Sequence, residues 1–167
     1  MTVARFKWIA LVLAALIIIV DQLTKHAILQ MFPAEGMSQA VTSFFNLVLV
    51  YNHGISFGLF NSAPVDAQSY IFVGIAAVIS IVLLIWLFRT HSRLIVVALS
   101  LVLGGAIGNM IDRIMVGAVI DFLDVYVTIN GNAYHWPAFN VADSAIVCGV
   151  GLLFIDSLAF DKKTLQK

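Results

Sequence analysis

Ser69 to Phe88 is twenty residues without a charged side chain, and Leu94 to Ile111 is eighteen. At about 1.5 Å per helical residue, each run crosses a hydrocarbon core about 30 Å thick. Lipid offers the backbone no hydrogen-bond partners, so a single run of this length spans it as a helix. Trp8 to Val20 adds thirteen apolar residues, and the pattern continues past Asp21 toward Ile28. Pro137 to Phe160 is also long enough, interrupted by Asp143 near one end and Asp156 near the other. The expected fold is a membrane all-α bundle of four transmembrane helices with a small extracytoplasmic β-platform. The spans fall at about 8–28, 69–88, 94–111 and 137–160, with outer loops 30–68 and 113–136, all in one domain over 1–167.

Charge orients these spans. Arg5 and Lys7 precede the first, Arg89 and Arg93 lie between the second and third, and Lys162, Lys163 and Lys167 follow the fourth. Seven of the nine basic residues therefore share one side, which the positive-inside rule places in the cytoplasm with both termini. Lys25 and Arg113 fall opposite, with Glu35, Asp66, Asp112 and Asp124. The formal net charge is zero, which points to no nucleic-acid partner. Residues 1–20 resemble a secretory signal, but no small-x-small cleavage site follows, and a retained anchor helix is expected. Cys148 is the single cysteine and reads as a small helix-packing residue in the fourth span.

The outer side carries most of the chain beyond the spans. Val41 to Tyr51 and Val125 to Ile129 are rich in β-branched and aromatic residues and read as strands, and Asn130-Gly131 is a turn signal. They predict a platform at the membrane–water boundary. Asn52-His53-Gly54-Ile55-Ser56-Phe57-Gly58 follows the first as a glycine-punctuated loop. In the third span Ser100, Gly104 and Gly108 recur every four residues, and the fourth carries Ala145 and Gly149. Small residues at this interval let helices approach closely.

Against this background Asp121 and Asp143 stand out. Each is flanked by apolar residues, with no basic residue within four positions. A carboxylate at membrane depth costs several kcal/mol and is usually functional. Asn109, Asp112 and Arg113 occur at i, i+3 and i+4, and Asn140, Asp143 and Ser144 repeat that spacing, so each trio shares one face of a helix. Asp21 and Lys25 form an i,i+4 pair, read as a self-neutralising interfacial pair with a structural role. Asp124 reads as solvated, and Asp156 as a snorkelling or capping group. His26, His53, His91 and His135 are dispersed, and no metal-ligand spacing, phosphate loop or nucleophile elbow occurs, so no metal or other cofactor is expected. Ser56 and Ser144 are weak candidate nucleophiles. The remaining chemistry is that of carboxylates. Two held close together cannot both ionise cheaply. The ionised one can take a proton from water while the protonated one hydrogen-bonds the carbonyl under attack, which is aspartic peptide hydrolysis.

Five blocks in order carry a family resemblance: Asp21-Gln22-Leu23-Thr24-Lys25; Tyr51-Asn52-His53-Gly54-Ile55-Ser56-Phe57; Gly104 to Arg113; Val119-Ile120-Asp121-Phe122; and Phe139-Asn140-Val141-Ala142-Asp143-Ser144. Over nearly its full length the chain resembles the bacterial lipoprotein signal peptidases (signal peptidase II). The resemblance implies that Asp121 and Asp143 are the catalytic pair. It implies that Asn52, Gly54, Asn109, Asp112, Arg113, Asn140 and Ala142 shape the site and hold substrate, with Asp21 and Lys25 structural. The implied substrate is a diacylglyceryl-modified prolipoprotein, cut before the lipid-bearing cysteine by a monomeric enzyme among membrane lipids of the bacterial inner membrane, its site at the outer face. Residues 130–136 depart most from the family and touch none of the five blocks.

Two other classes compete. A proton-coupled transporter also uses buried acids, but these acids cluster at one face and no inverted repeat is visible. A non-enzymatic assembly factor leaves Asp121 and Asp143 unexplained. A presenilin-like protease shares the chemistry but needs Gly-x-Gly-Asp, whereas Asn109 follows Gly108 here.

Overall fold

The computed structural model of the chain describes residues 3–54 and 65–164. Ser56 and the rest of the loop after Gly54 lie outside the described residues, as does Lys167. Four helices, α1 (Val3–Met31), α2 (Val65–Arg89), α3 (Arg93–Met115) and α4 (Val141–Thr164), accompany four strands, β1 (Ser38–Thr42), β2 (Phe45–Asn52), β3 (Val119–Ile129) and β4 (Asn132–His135). Each helix contains a stretch long and apolar enough to cross a membrane. The bundle and the platform are those the sequence predicts.

Helix α3 is the central element and packs against α1, α2 and α4. Its glycines explain how. A Cβ on Gly104 would lie 2.8 Å from the carbonyl oxygen of Ala14 in α1. One on Gly105 would run into the carbonyl oxygen of Ala142 in α4, and one on Gly149 would meet the oxygen of Ala98 at 2.6 Å. Such seams give helices backbone-close contact where lipid supplies no hydrophobic drive to associate. At the end bearing Lys7, Arg89 and Arg93, Lys7 donates to the Phe88 carbonyl at 2.6 Å, satisfying an orphan acceptor at the end of α2. Ser92 caps α3 through Ile95 N–H and donates to Asp156 at 3.4 Å, so Asp156 takes part in that cap.

The sheet sits at the other end, in the antiparallel order β1-β2-β3-β4. Asn130 and Gly131, both with positive φ, form the tight turn between β3 and β4 that Asn-Gly signals. Alternation along β3 divides its side chains. Ile120 and Phe122 are buried against Ile28, Phe32 and Leu49, a cluster that fastens the sheet to the end of α1. Asp121, between them, projects from the opposite face.

Four expectations need correction. The strand read at Val125 to Ile129 begins at Val119 and so includes Asp121, because pairing with β2 extends it back to Val119. Helix α4 starts at Val141, since residues 137–140 form an extended segment whose Phe139 bridges Leu123 of β3. Asp124 is buried: Asn46 Nδ2 donates to it at 2.8 Å, and His135 Nδ1 lies 2.8 Å away. Cys148 is exposed on α4, facing away from the α3 seam that Gly149 enters.

Candidate active site

The segment before α4 is held in place by main-chain bonds. Phe122 and Leu123 both donate to the Phe139 carbonyl, at 3.0 and 2.8 Å, and Phe139 returns one to Leu123 at 3.1 Å. This sets Asn140 beside Asp121. Asn140 Nδ2 donates to Asp121 Oδ1 at 2.8 Å, to Asn109 Oδ1 at 3.1 Å and to the Ile120 carbonyl at 3.3 Å. It has no exposed surface.

Asn140 also begins α4. Its side-chain oxygen accepts from Asp143 N–H at 2.8 Å, and Asp143 Oδ2 accepts from Asn140 N–H at 3.2 Å. This is a reciprocal capping box at i, i+3, and it places the Asp143 carboxylate at the first turn of a helix. Asp143 Oδ1 accepts from Asn109 Nδ2 of α3 at 2.7 Å. Asn52, at the end of β2, donates to Asp121 Oδ2 at 3.0 Å. The register explains the reach: Val50 pairs with Asp121 and Asn52 with Val119, so Asn52 is the diagonal neighbour of Asp121 on one face. Asn52 Oδ1 also accepts from Gly54 N–H at 2.9 Å, closing a turn in which Gly54 takes a positive φ. A Cβ there would press to 2.8 Å of the Phe72 ring.

Burial pushes the Asp121 carboxyl up from 3.8 to about 6, and the nearby charge of Asp143 adds to the rise. The hydrogen bonds from Asn52 and Asn140 and the charge of Lys25 pull the other way.

Behind the two aspartates lies a buried ionic cluster. Lys25 Nζ is 2.7 Å from Asp21 Oδ2, 2.6 Å from Asp112 Oδ2 and 3.1 Å from Asn109 Oδ1. The exposures of Asp21, Lys25 and Asp112 are 0%, 2% and 2%, so the Asp21–Lys25 pair is a core feature and not an interfacial one. Two carboxylates share one ammonium here, and main-chain donors serve the rest: Ala142 N–H to Asp21 at 2.9 Å and Ile120 N–H to Asp112 at 3.1 Å. Gln22 bridges Asp21 and Asp112 at 3.2 and 2.8 Å. A Cβ on Gly108 would come within 2.8 Å of Asp21, so the glycine makes room for the cluster. Ala142 contributes a main-chain donor from under the α4 cap.

Arg113 is half-buried at the end of α3. Its Nη1 donates to the Asn109 carbonyl at 3.3 Å, and its guanidinium lies 5.4 Å from the centroid of the Phe72 ring. It feels the charges of Asp143, Asp112 and Asp121, yet among the described residues no carboxylate approaches it within ion-pair distance. Phe72 was not legible as a site neighbour, since it lies within an uncharged run.

Two grooves meet here. One, of about 380 Å³, is lined by Tyr51, Asn52, His53 and Asp121. The other, of about 520 Å³, is lined by Trp136, Phe139, Asp143, Val147 and Cys148. Pro137 and Ala138 line both. Ser144 donates its hydroxyl to the Asn140 carbonyl at 3.0 Å, within the cap. Among the described residues no three His, Cys, Asp or Glu side chains come together as metal ligands would.

The family model for Signal peptidase (SPase) II matches residues 13–159. A lipoprotein signal peptidase of Janthinobacterium sp. (strain Marseille) is 48% identical over 159 residues, covering 93% of this chain and 90% of that protein. One from Cupriavidus taiwanensis is 46% identical over 153 residues, covering 90% and 82%. A bacterial membrane enzyme solved by the in meso method at 1.9 Å superposes with a TM-score of 0.77 at 34% identity, over 89% of this chain and 92% of that one.

Proposed function

The chain belongs to the signal peptidase II family, and from that premise we propose that it removes signal peptides from prolipoproteins by aspartic catalysis at Asp121 and Asp143. The observation that carries this reading is Asn140, which donates to Asp121 from its side chain and to Asp143 from its main chain. The substrate is a diacylglyceryl-modified prolipoprotein, cut before its lipid-bearing cysteine. The bundle end with Lys7, Arg89 and Arg93 faces the cytoplasm of a bacterial inner-membrane protein, following the positive-inside rule. The sheet end and the aspartates then lie at the outer face, where a scissile bond tethered to diacylglycerol also lies. The enzyme acts as a monomer.

Asp121, raised to about 6, keeps a proton more readily than an ordinary aspartate and serves as the acid. Asp143, which accepts from Asn109 Nδ2 and from Asn140 N–H, serves as the base. Asp143 takes a proton from water as the water oxygen bonds to the scissile carbonyl carbon. Asp121 gives its proton to the carbonyl oxygen, forming a neutral gem-diol. Asp143 then protonates the amide nitrogen of the cysteine, Asp121 recovers a proton from one hydroxyl, and the C–N bond breaks. The dyad ends as it began, with one proton. Asn52, Asn109 and Asn140 orient the two carboxyls, while Gly54, Asp112, Arg113 and Ala142 shape the site, and Asp21 with Lys25 supports it.

Incubating purified protein with a lipidated prolipoprotein tests this directly. The shortened product is expected from the wild type and from neither Asp121→Asn nor Asp143→Asn, though both should remain folded and inserted. An amide of the same shape cannot act as acid or base. The double variant should be no worse than either single one, because the pair works as a unit. Normal cleavage by either single variant removes that residue from the dyad.

A further inference from the structure

One ring nitrogen beside the smaller groove has nothing to bond. His53 Nδ1 is buried and forms no hydrogen bond among the described residues. A buried polar atom left unpaired costs about 1–3 kcal/mol, so native folds keep few of them. His53 is the middle residue of the turn that Asn52 Oδ1 closes onto Gly54 N–H at 2.9 Å. Asn52 also donates to Asp121, so one side chain fixes both that carboxyl and the turn carrying the imidazole. Asn52, His53 and Asp121 line the groove together with Pro137 and Ala138. The main chain of Ala138 is open as well. Phe139, the next residue, gives its N–H and its carbonyl to β3. In an extended chain the groups of adjacent residues point to opposite edges, which turns those of Ala138 away from β3. Neither forms a main-chain hydrogen bond among the described residues.

We propose that His53 is a substrate-binding residue: its Nδ1 hydrogen-bonds the main chain of the substrate just ahead of the cleaved bond, in a stretch that lies extended along the smaller groove against Ala138. The proposal rests on the function given above. In that reaction Asp121 serves the carbonyl oxygen and Asp143 the cysteine nitrogen. The groove that Asp121 lines and Asp143 does not therefore receives the residue that owns the carbonyl, and those before it. They cannot enter as a helix. One turn, about 10–12 Å across with a pitch of about 5.4 Å, fills about 500 Å³. The groove offers about 380 Å³. Unwinding the end of a signal peptide frees main-chain donors and acceptors that the helix had paired, and each needs a new partner. His53 Nδ1 and the open groups of Ala138 are partners of that kind. A neutral imidazole nitrogen donates or accepts according to its tautomer, and a peptide group answers either.

Substitutions at position 53 separate this role from packing. An asparagine amide reaches the place of Nδ1, whereas a glutamine amide reaches that of Nε2. His53→Leu should lower kcat/KM on a lipidated prolipoprotein peptide about tenfold. His53→Asn should recover most of that loss and His53→Gln should not. The decisive measurement changes the main chain of the substrate. Three lipidated peptides each carry an ester in place of one of the three amides before the cleaved bond, which removes an N–H and weakens a carbonyl acceptor. With wild-type protein one of these esters should cost about tenfold in kcat/KM. The same ester should cost His53→Leu less than about twofold, because its partner is already gone. Equal ester costs in the two proteins at all three positions overturn the proposal, as does a His53→Asn protein no better than His53→Leu. If His53→Leu fails to fold, His53→Gln takes its place in both comparisons. Wild-type protein that leaves the all-amide peptide uncut sinks the proposed function instead.

Discussion

The side-chain amide of Asn140 donates to Asp121 across 2.8 Å, joining the residue ahead of α4 to the middle of β3. Removing it strips partners from Asp121, Asn109, the Ile120 carbonyl and Asp143 N–H at once. Each buried group left unsatisfied costs about 1–3 kcal/mol. Asn140→Ala is therefore expected to lower the thermal midpoint in detergent and to reduce kcat on lipidated prolipoprotein by about a hundredfold or more. A variant that retains more than about a third of the wild-type rate would show that Asp121 and Asp143 are oriented without it.

The raised carboxyl of Asp121 gives cleavage a direction with pH. In the proposed dyad, the free enzyme loses the shared proton above the Asp121 titration near 6, so kcat/KM should fall as pH rises through that point. Substrate that displaces water buries the pair further and should move the corresponding limb of kcat upward. Asn52 stabilises the charged form of Asp121 through its 3.0 Å hydrogen bond. Asn52→Leu removes that donor, so the alkaline limb should shift to higher pH. A limb that stays put or moves down would take Asp121 out of the acid role. Stability has the same sign. The folded protein holds this proton more tightly than the unfolded chain, whose Asp titrates near 3.8, so that contribution is present at low pH and lost as pH rises through about 6.

Lys25 answers a different question, namely what holds the site together. It is the ammonium shared by Asp21 and Asp112, all three almost without exposed surface. Breaking a buried ion pair from one side costs about 3–5 kcal/mol, because the remaining charge is left uncompensated. Here two carboxylates are left. Lys25→Met should greatly reduce the yield of folded protein and broaden its elution from a sizing column. A Lys25→Met protein that purifies normally, with wild-type thermal stability, would mean that the Gln22 and main-chain donors suffice for both acids.

The helices were legible because uncharged runs of twenty and eighteen residues have one solution in lipid. The Asn109 and Asn140 trios were legible because i, i+3, i+4 spacing projects onto one helical face. What the sequence hid was pairing across space. Lys25 meets Asp112 only because the α1–α3 seam is tight at Gly104 and Gly108. Asp124 looks solvated until Asn46 and His135 arrive on the strands either side of it. The side on which Cys148 lies depends on the rotation of α4, which apolar content around the whole helix leaves open. Asp121 carried little strand signal: Val119-Ile120 and Phe122-Leu123 flank it as apolar pairs, and a short apolar run buried on both faces cannot be told from a helix segment by its period.

Arg113 tests whether the end of α3 belongs to the site or merely anchors the helix at the interface. Its guanidinium lies over Phe72 at 5.4 Å and donates to the Asn109 carbonyl at 3.3 Å. Asn109 in turn donates to Asp143 at 2.7 Å. Phe72 also packs within reach of Gly54, whose turn is closed by Asn52, a partner of Asp121. Arg113 thus stands between the two sides of the site with several donors unspent among the described residues. A planar fork can hold a substrate carbonyl while stacked on the ring, which a lysine ammonium cannot reproduce. Arg113→Lys should therefore express and insert normally but lose most cleavage, with kcat/KM down by about tenfold or more. Arg89→Lys, at the opposite end of the bundle, should cleave at the wild-type rate. If Arg113→Lys matches wild type in the same detergent, the arginine is an interfacial anchor. The polar end of α3 would then contribute to the site only through Asn109 and Asp112.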